Sequence, residues 1–123
     1  MAENRHKSYT CMIIDDESAA RKALSFYMAS YPQLVLCGQA FNAVEGLKLV
    51  EQLKPDIIFL NVTMPYMTGL EMLDHFSTQD HYIILTSALE TSTVLDKRVN
   101  DFLLVPLSKS RFSKAIKRLE MNI

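Results

Sequence analysis

Two groups of polar residues follow apolar runs that have the character of buried strands. Asp15 and Asp16 come directly after Met12–Ile14, and Asn61 comes directly after Ile57–Leu60. Parallel strands that deliver polar groups to the same end of a sheet form a site there. Two adjacent carboxylates could hold a cation in such a site. The amide of Asn61 cannot act as its nucleophile, because the lone pair on the amide nitrogen is delocalised.

The elements that must position these residues alternate along the chain. Five apolar segments predict buried strands. They are Tyr9–Asp15, Leu34–Cys37, Ile57–Leu60, Tyr82–Thr86 and Phe102–Val105. Five further segments predict helices from apolar spacing or capping residues. These are Glu17–Ser30, Asn42–Leu53, a helix opening at Thr68-Gly69 with Leu70, Leu73 and Phe76 inward, Glu90–Val99, and a C-terminal helix capped by Ser108. Thr91–Val94 in the fourth helix are poor helix formers.

Strict alternation of strands and helices predicts an α/β fold with helices on both faces of a parallel sheet. Right-handed crossovers favour a doubly wound, five-stranded, flavodoxin-like sheet with strand order 2-1-3-4-5. Its functional site is expected at the carboxyl ends of the strands. The polar and apolar residues predicted there are Asp15, Asp16, Asn61, Thr63, Ser87 and Val105.

The composition limits the function classes. A chain of 123 residues with a formal net charge of −1 fits one domain and gives no electrostatic case for nucleic-acid or membrane binding. No apolar run is long enough to span a membrane, and the polar N-terminus is unlike a signal peptide, so a cytoplasmic location is predicted. Residues 1–8 are expected to form a disordered or tag-like tail. Residues 9–123 are expected to form the domain, either alone or as part of a longer regulator.

The two cysteines, Cys11 and Cys37, both fall in strand-like segments. They are interpreted as small buried hydrophobic residues in a reducing compartment. A disulfide would require the two strands to be neighbours with suitable geometry. The cysteines do not form a Cys-x-x-Cys pair, so a metal or redox role has no support.

Several stretches of the chain resemble a response-regulator receiver domain, and the resemblance runs from about Thr10 to Leu119. They are Ile13–Glu17, Pro55–Pro65 with Gly69, Thr86–Ala88 and Asp101–Pro106. The Asp15–Arg21 opening and the Asp-Phe-Leu-Leu segment are most similar to receivers that precede LytTR-type DNA-binding domains. The resemblance implies two-component, or phosphorelay, signal transduction.

The resemblance also implies a role for each candidate site residue. Asn61 stands at the phosphoacceptor position, where the family has an aspartate, and so cannot be phosphorylated. A Mg²⁺ ion would be held by Asp15, Asp16, Asn61 and the backbone of Thr63, weakly or not at all. Ser87 and Phe102 correspond to the switch residues. Val105 stands where the family has a lysine, and Pro106 is a cis-proline candidate. Loss of one negative and one positive charge leaves the net charge of the pocket unchanged, which favours a natural variant.

Other interpretations stay open for several of these residues. Asp15 and Asp16 could only cap the first helix. Ser87 could be a strand-end hydroxyl bonded to backbone, and Phe102 a fixed aromatic. The basic face of the last helix could be solvated or could contact a partner. Its members are Lys109, Arg111, Lys114, Lys117 and Arg118.

The sequence therefore predicts a divergent receiver, or pseudo-receiver, that is not an enzyme and acts by protein–protein interaction. The partners expected are a histidine kinase or another signalling protein, the chain's own output domain, and a second copy through the Glu90–Leu119 region. DNA would be bound only through an output domain, and no membrane is involved. An alternative is the receiver of a LytTR-type transcriptional regulator in which Asn61 is an engineered change. A metal-dependent phosphatase using Asp15 and Asp16 is disfavoured, because the histidines map away from the strand ends.

Overall fold

A computed structural model describes residues 7–88 and 96–123. Its five strands are all parallel and lie in the order β2-β1-β3-β4-β5, as predicted. The strands are β1 (Tyr9–Ile14), β2 (Leu34–Ala40), β3 (Ile57–Asn61), β4 (Tyr82–Ser87) and β5 (Asp101–Leu104). The described helices are α1 (Ser18–Met28), α2 (Ala43–Leu53), α3 (Gly69–Met72) and α4 (Lys109–Asn122). β1 and β3, at the centre, are apolar on both faces, because helices cover both sides of the sheet.

Side chains that alternate along the strands build one core on each face of the sheet. On the first face, α1 and α4 pack against the strands, and Phe59 and Phe112 are fully buried between them. On the second face, α2 and α3 pack against Met12, Ile58 and their neighbours. The sheet is therefore doubly wound, and the fold class predicted from the alternation is confirmed.

The third helix is shorter than predicted. Thr68 and Glu71 form a capping box that starts it, but the α-helix ends at Met72 and continues as a 3-10 turn over Leu73–His75. Phe76 is already extended, and its ring lies edge-on against His81, with 5.5 Å between ring centroids. The expectation that one helix carries Leu70, Leu73 and Phe76 was wrong, because Phe76 lies beyond the helix, although all three side chains pack against the second-face core.

The helix predicted over Glu90–Val99 falls largely on residues 89–95, which lie outside the described residues. Residues 96–99, which are described, form a turn and no helix. The Asp96 carboxylate accepts hydrogen bonds from the backbone N–H and the Nε of Arg98, each at 2.9 Å. This local bonding competes with helical hydrogen bonds and accounts for the non-helical backbone of residues 96–99.

Residues 1–6 of the predicted tail lie outside the described residues, whereas Lys7 and Ser8 are exposed and precede β1. In the parts of the chain that the structure describes, none of the helices has the length and apolar character needed to cross a membrane.

Candidate functional site

The acid pair lies at the carboxyl end of β1, in the centre of the sheet. The backbone N–H of Asp15 donates to the carbonyl of Ala40, which ties the end of β1 to β2. The Asp15 side chain is buried, whereas Asp16 is exposed. Asp15 Oδ1 accepts a hydrogen bond from the Glu17 backbone N–H at 2.9 Å, just before α1 begins. Glu17 is the N-cap residue of α1, and its own side chain makes no cap hydrogen bond, so the contact from Asp15 forms a turn before the helix and does not cap it.

Burial raises the pKa of the Asp15 carboxyl above its usual value, because desolvation disfavours the charged form. The hydrogen bond from Glu17 N–H opposes this shift in pKa, and the negative charge of Asp16 adds to it. The guanidinium of Arg21 lowers the pKa by a smaller amount. Arg21 Nη1 also donates to the Asp15 carbonyl at 2.7 Å. Arg21 was not predicted as a site residue. A basic residue that follows the acid pair by five and six positions in the sequence is the pattern that could have predicted this contact.

Asn61 is the last residue of β3 and faces the acid pair. Its side-chain Nδ2 lies 3.3 Å from Asp15 Oδ1, 3.3 Å from Asp16 Oδ1 and 2.8 Å from the carbonyl oxygen of Thr63. The structure thus brings together all four residues predicted for the cation pocket. Asp15 and Asp16 contribute side chains, Thr63 contributes its backbone, and Asn61 directs its nitrogen toward them.

Ser87 and Val105 lie at the same edge of the sheet, at the ends of β4 and β5. The Val105 backbone N–H donates to the carbonyl of Ser87 at 2.8 Å, which extends the pairing of these two strands. Ser87 is buried and Val105 is half-buried. The peptide bond between Val105 and Pro106 is cis, at the position where the resemblance implies a cis proline.

Phe102 does not belong to this cluster. It is the second residue of β5, opposite Leu85 of β4, and its half-buried ring packs against the core on the second face. The basic face predicted on α4 is divided. Arg118 donates to Asp101 at 3.0 Å and Arg111 donates to the carbonyl of Phe102 at 2.7 Å, so both are engaged at β5. Its three lysines are exposed; they are Lys109, Lys114 and Lys117.

Two of the three histidines lie within the described residues, and neither lies at the acid pocket. His81 precedes β4 at the opposite end of the sheet, with Nδ1 2.6 Å from the carbonyl oxygen of Pro55. His75 lies in the 3-10 turn after α3. Within residues 7–88 and 96–123, no three His, Cys, Asp or Glu side chains are grouped as a metal site. Among the described residues, the pocket holds two carboxylates and one amide and no histidine.

The doubly wound fold, with an acid pair and a polar residue at the ends of its central strands, defines the receiver class of signalling domain. The sequence model of the response regulator receiver domain matches residues 11–117. The chain therefore belongs to the response regulator receiver domain family of two-component systems.

Curated relatives resemble the chain over most of its length. An uncharacterized response regulatory protein of Vibrio cholerae is 35% identical over 113 residues, which is 89% of this chain and 48% of the relative. The transcriptional regulatory protein BtsR of Escherichia coli is 32% identical over 114 residues, or 90% of this chain and 48% of BtsR. The chain thus spans about half the length of these relatives.

Solved structures share the fold at low sequence identity. The receiver domain of NarL from Mycobacterium tuberculosis superposes with a TM-score of 0.81 at 18% identity, over 95% of this chain and 99% of that one. The response regulatory domain of mrkE from Klebsiella pneumoniae gives a TM-score of 0.79 at 23% identity, over 91% and 95% of the two chains. At these identities the likeness supports the fold alone.

Proposed function

We propose that this chain is a divergent receiver that passes its signal by protein contacts and is not phosphorylated at the usual position. The observation that supports this proposal is the amide of Asn61 at the end of β3, facing the acid pair within 3.3 Å. A carboxylate at this position would supply a charged oxygen nucleophile. The amide oxygen is neutral, and the nitrogen is a hydrogen-bond donor engaged with three oxygens.

The loss of the cationic partner supports the same proposal. Val105 follows β5, where the resemblance implies a lysine that contacts phosphoryl oxygens. A valine side chain cannot donate a hydrogen bond to a phosphoryl oxygen, so a bound phosphate would lack its charge-assisted contact. Both the nucleophile and the cation are absent from the positions that the resemblance assigns to them.

A phosphorylation assay tests the proposal. We expect no mass increase of one phosphoryl group when the protein is incubated with acetyl phosphate and Mg²⁺, or with a phosphorylated histidine kinase, and intact mass is measured. The matched control is Asn61→Asp, which restores a carboxylate at the same position, and Asn61→Asp with Val105→Lys restores both groups. A mass increase of one phosphoryl group on the unchanged chain would overturn the proposal.

The surface proposed for partner contact is the exposed face of α4 beside β5. Lys114 and Lys117 are exposed there, whereas Arg111 and Arg118 are engaged with β5. Replacing both lysines with glutamate should weaken self-association or kinase binding while leaving the fold intact, because neither residue contributes to the core. Sedimentation velocity measures self-association, and Lys22→Glu on α1 is a control on a different exposed surface. Equal sedimentation of all three proteins would exclude this face of α4 from self-association.

A second candidate is the receiver part of a LytTR-type transcriptional regulator in which Asn61 is an engineered change. The observation that favours it is that the chain covers 48% of the length of BtsR, which is named a transcriptional regulatory protein. In this case an output domain would bind DNA and the natural residue at position 61 would be aspartate. Reading the source gene separates the candidates: an asparagine codon at 61 supports the divergent receiver, and an aspartate codon followed by a LytTR-type segment supports the regulator.

A further inference from the structure

Among the described residues, the side-chain nitrogen of Asn61 has three hydrogen-bond partners, and all three are acceptor oxygens. Nδ2 lies within 3.3 Å of one carboxylate oxygen from Asp15 and one from Asp16, and 2.8 Å from the Thr63 carbonyl. An amide has two N–H donors at one end and an acceptor oxygen at the other. The reversed orientation would place the amide oxygen against three other oxygens and lose every one of these contacts. The chemistry of the surroundings therefore fixes which end faces the acids.

The same three oxygens are the protein ligands that a Mg²⁺ ion would require, since this cation is bound by carboxylate and carbonyl oxygens. They converge on a nitrogen that carries hydrogens and cannot bind a cation. As the side chains stand, the pocket does not fit a metal ion. A cation could be accommodated only after the amide turns to present Oδ1, which breaks the hydrogen bonds from Nδ2.

We propose that the Asn61 amide takes the place of the cation: it links Asp15, Asp16 and the Thr63 loop, and it competes with divalent metal for these oxygens. The inference does not depend on whether the chain is phosphorylated, because it concerns only the acid pocket. Asn61 is in this sense a positioning residue that holds the β3–α3 loop to the end of β1.

The charges around the pocket also disfavour the binding of a divalent cation. Asn61 supplies no third negative charge, so a divalent ion would be balanced by two carboxylates alone. The guanidinium of Arg21 lies against the Asp15 carbonyl at 2.7 Å and adds a positive charge close to the pocket. Mg²⁺ gives up its hydration shell reluctantly, and a weaker field makes that exchange less favourable.

Alanine substitution distinguishes competition from coordination. If the amide competes with the metal, Asn61→Ala binds Mg²⁺ more tightly than the unchanged chain, by about tenfold, and Asn61→Asp binds more tightly still because it adds a charged ligand. If instead the Asn61 oxygen is a metal ligand, Asn61→Ala binds more weakly. Calorimetric titration with MgCl₂ measures the Mg²⁺ affinity of each protein and so gives their order. Asn122→Ala, which changes an asparagine exposed near the C-terminus, is the matched control and should bind as the unchanged chain does.

Two further measurements test the proposal, and the first of them does not require Asn61→Ala to fold well. In the unchanged chain, the two side-chain N–H resonances of Asn61 should remain in place through the millimolar range of MgCl₂. The thermal midpoint of Asn61→Ala should be below that of the unchanged chain without metal, and MgCl₂ should raise it. Saturable movement of the Asn61 resonances, equal affinities of the two proteins, or weaker binding by Asn61→Ala would each overturn the proposal.

Discussion

Gly69 packs directly against the backbone carbonyl of Asn61, so closely that a β-carbon at position 69 would collide with the Asn61 oxygen. The same β-carbon would lie 3.0 Å from the Asn61 carbonyl carbon and 3.1 Å from Leu60 Cγ. The Gly69 N–H also donates to the carbonyl of Val62 at 2.8 Å. The start of α3 is therefore held against the end of β3, at the residue that contacts the acid pair.

Gly69→Ala should destabilise the protein, because the colliding atoms belong to the backbone and cannot rotate away. Overpacking of this kind costs about 1–3 kcal/mol in free energy of unfolding. Urea denaturation measures it. Gly38→Ala is the matched control: its β-carbon would meet Leu53 Cδ1 at 2.7 Å, and that atom is the end of a flexible, exposed side chain. A cost for Gly69→Ala no larger than for Gly38→Ala would contradict the close packing seen here.

Phe112→Ala should be strongly destabilising. The Phe112 ring is fully buried and lies 5.6 Å from the rings of Tyr27 and Tyr31 and 6.0 Å from that of Phe59, so it joins α1, β3 and α4. Truncating a buried phenylalanine costs about 3–5 kcal/mol, which could unfold a marginally stable domain. Phe112→Leu, which keeps most of the volume, should cost less and remain folded.

The control for Phe112 is Phe26→Ala on α1, where the side chain is 74% exposed. A surface substitution of this kind should change the free energy of unfolding by no more than about 0.5 kcal/mol. Chemical denaturation of the three variants gives the order of their free energies of unfolding. If Phe26→Ala were as costly as Phe112→Ala, the assignment of the core on this face would be wrong.

The sequence predicted the fold better than it predicted local contacts. Apolar patterns report burial, and burial on two sides identified the central strands. The order of the sheet was predicted from the alternation of strands and helices and from the handedness of crossovers. They do not report hydrogen bonding in loops, so neither the early end of α3 at Met72 nor the turn at Asp96 and Arg98 could be foreseen. The residues of the acid pocket were predicted from their positions at strand ends. The orientation of the Asn61 amide depends on the Thr63 carbonyl, which no spacing rule places.

The two cysteines should differ in reactivity. β1 and β2 pair as Cys11 with Leu36 and Met12 with Gly38, so Cys37 is the extra residue of a bulge beside Cys11. The strands are neighbours, and both thiols are free. Burial, with a smaller effect from Cys37, raises the pKa of the Cys11 thiol to about 12, whereas the Cys37 thiol is half-buried with a pKa that burial raises less.

Alkylation of the folded protein at about pH 8 should therefore label Cys37 first, since the thiolate is the reactive form and Cys11 is inaccessible. Iodoacetamide labelling followed by peptide mass mapping measures the order. Cys37→Ser should leave a protein that reacts only slowly, and denaturant should make the two cysteines of the unchanged chain react at similar rates. Faster labelling of Cys11 than of Cys37 in the folded protein would be inconsistent with the packing of β1.

The ion pair between Asp96 and Arg98 should make stability depend on pH in the acid range. Hydrogen bonds from the Arg98 side chain and backbone lower the pKa of the Asp96 carboxyl from 3.8 to about 2. Because the folded pKa is the lower one, the stabilisation is present above the unfolded value and is lost as the pH falls toward the folded value. The Arg98 side chain also donates to Asp74 at 2.7 Å, which ties this turn to the 3-10 turn that follows α3.

Asp96→Asn should therefore be less stable than the unchanged chain near neutral pH, and the difference should shrink below about pH 4. Urea denaturation at several pH values measures it, with Arg98→Ala and the double variant completing a cycle. The coupling energy between the two positions should be favourable at neutral pH and smaller in acid, since protonation of Asp96 removes the charge that Arg98 contacts. A coupling energy that stays constant as the pH falls would show that the contact is not an ion pair, and that packing of the turn alone stabilises it.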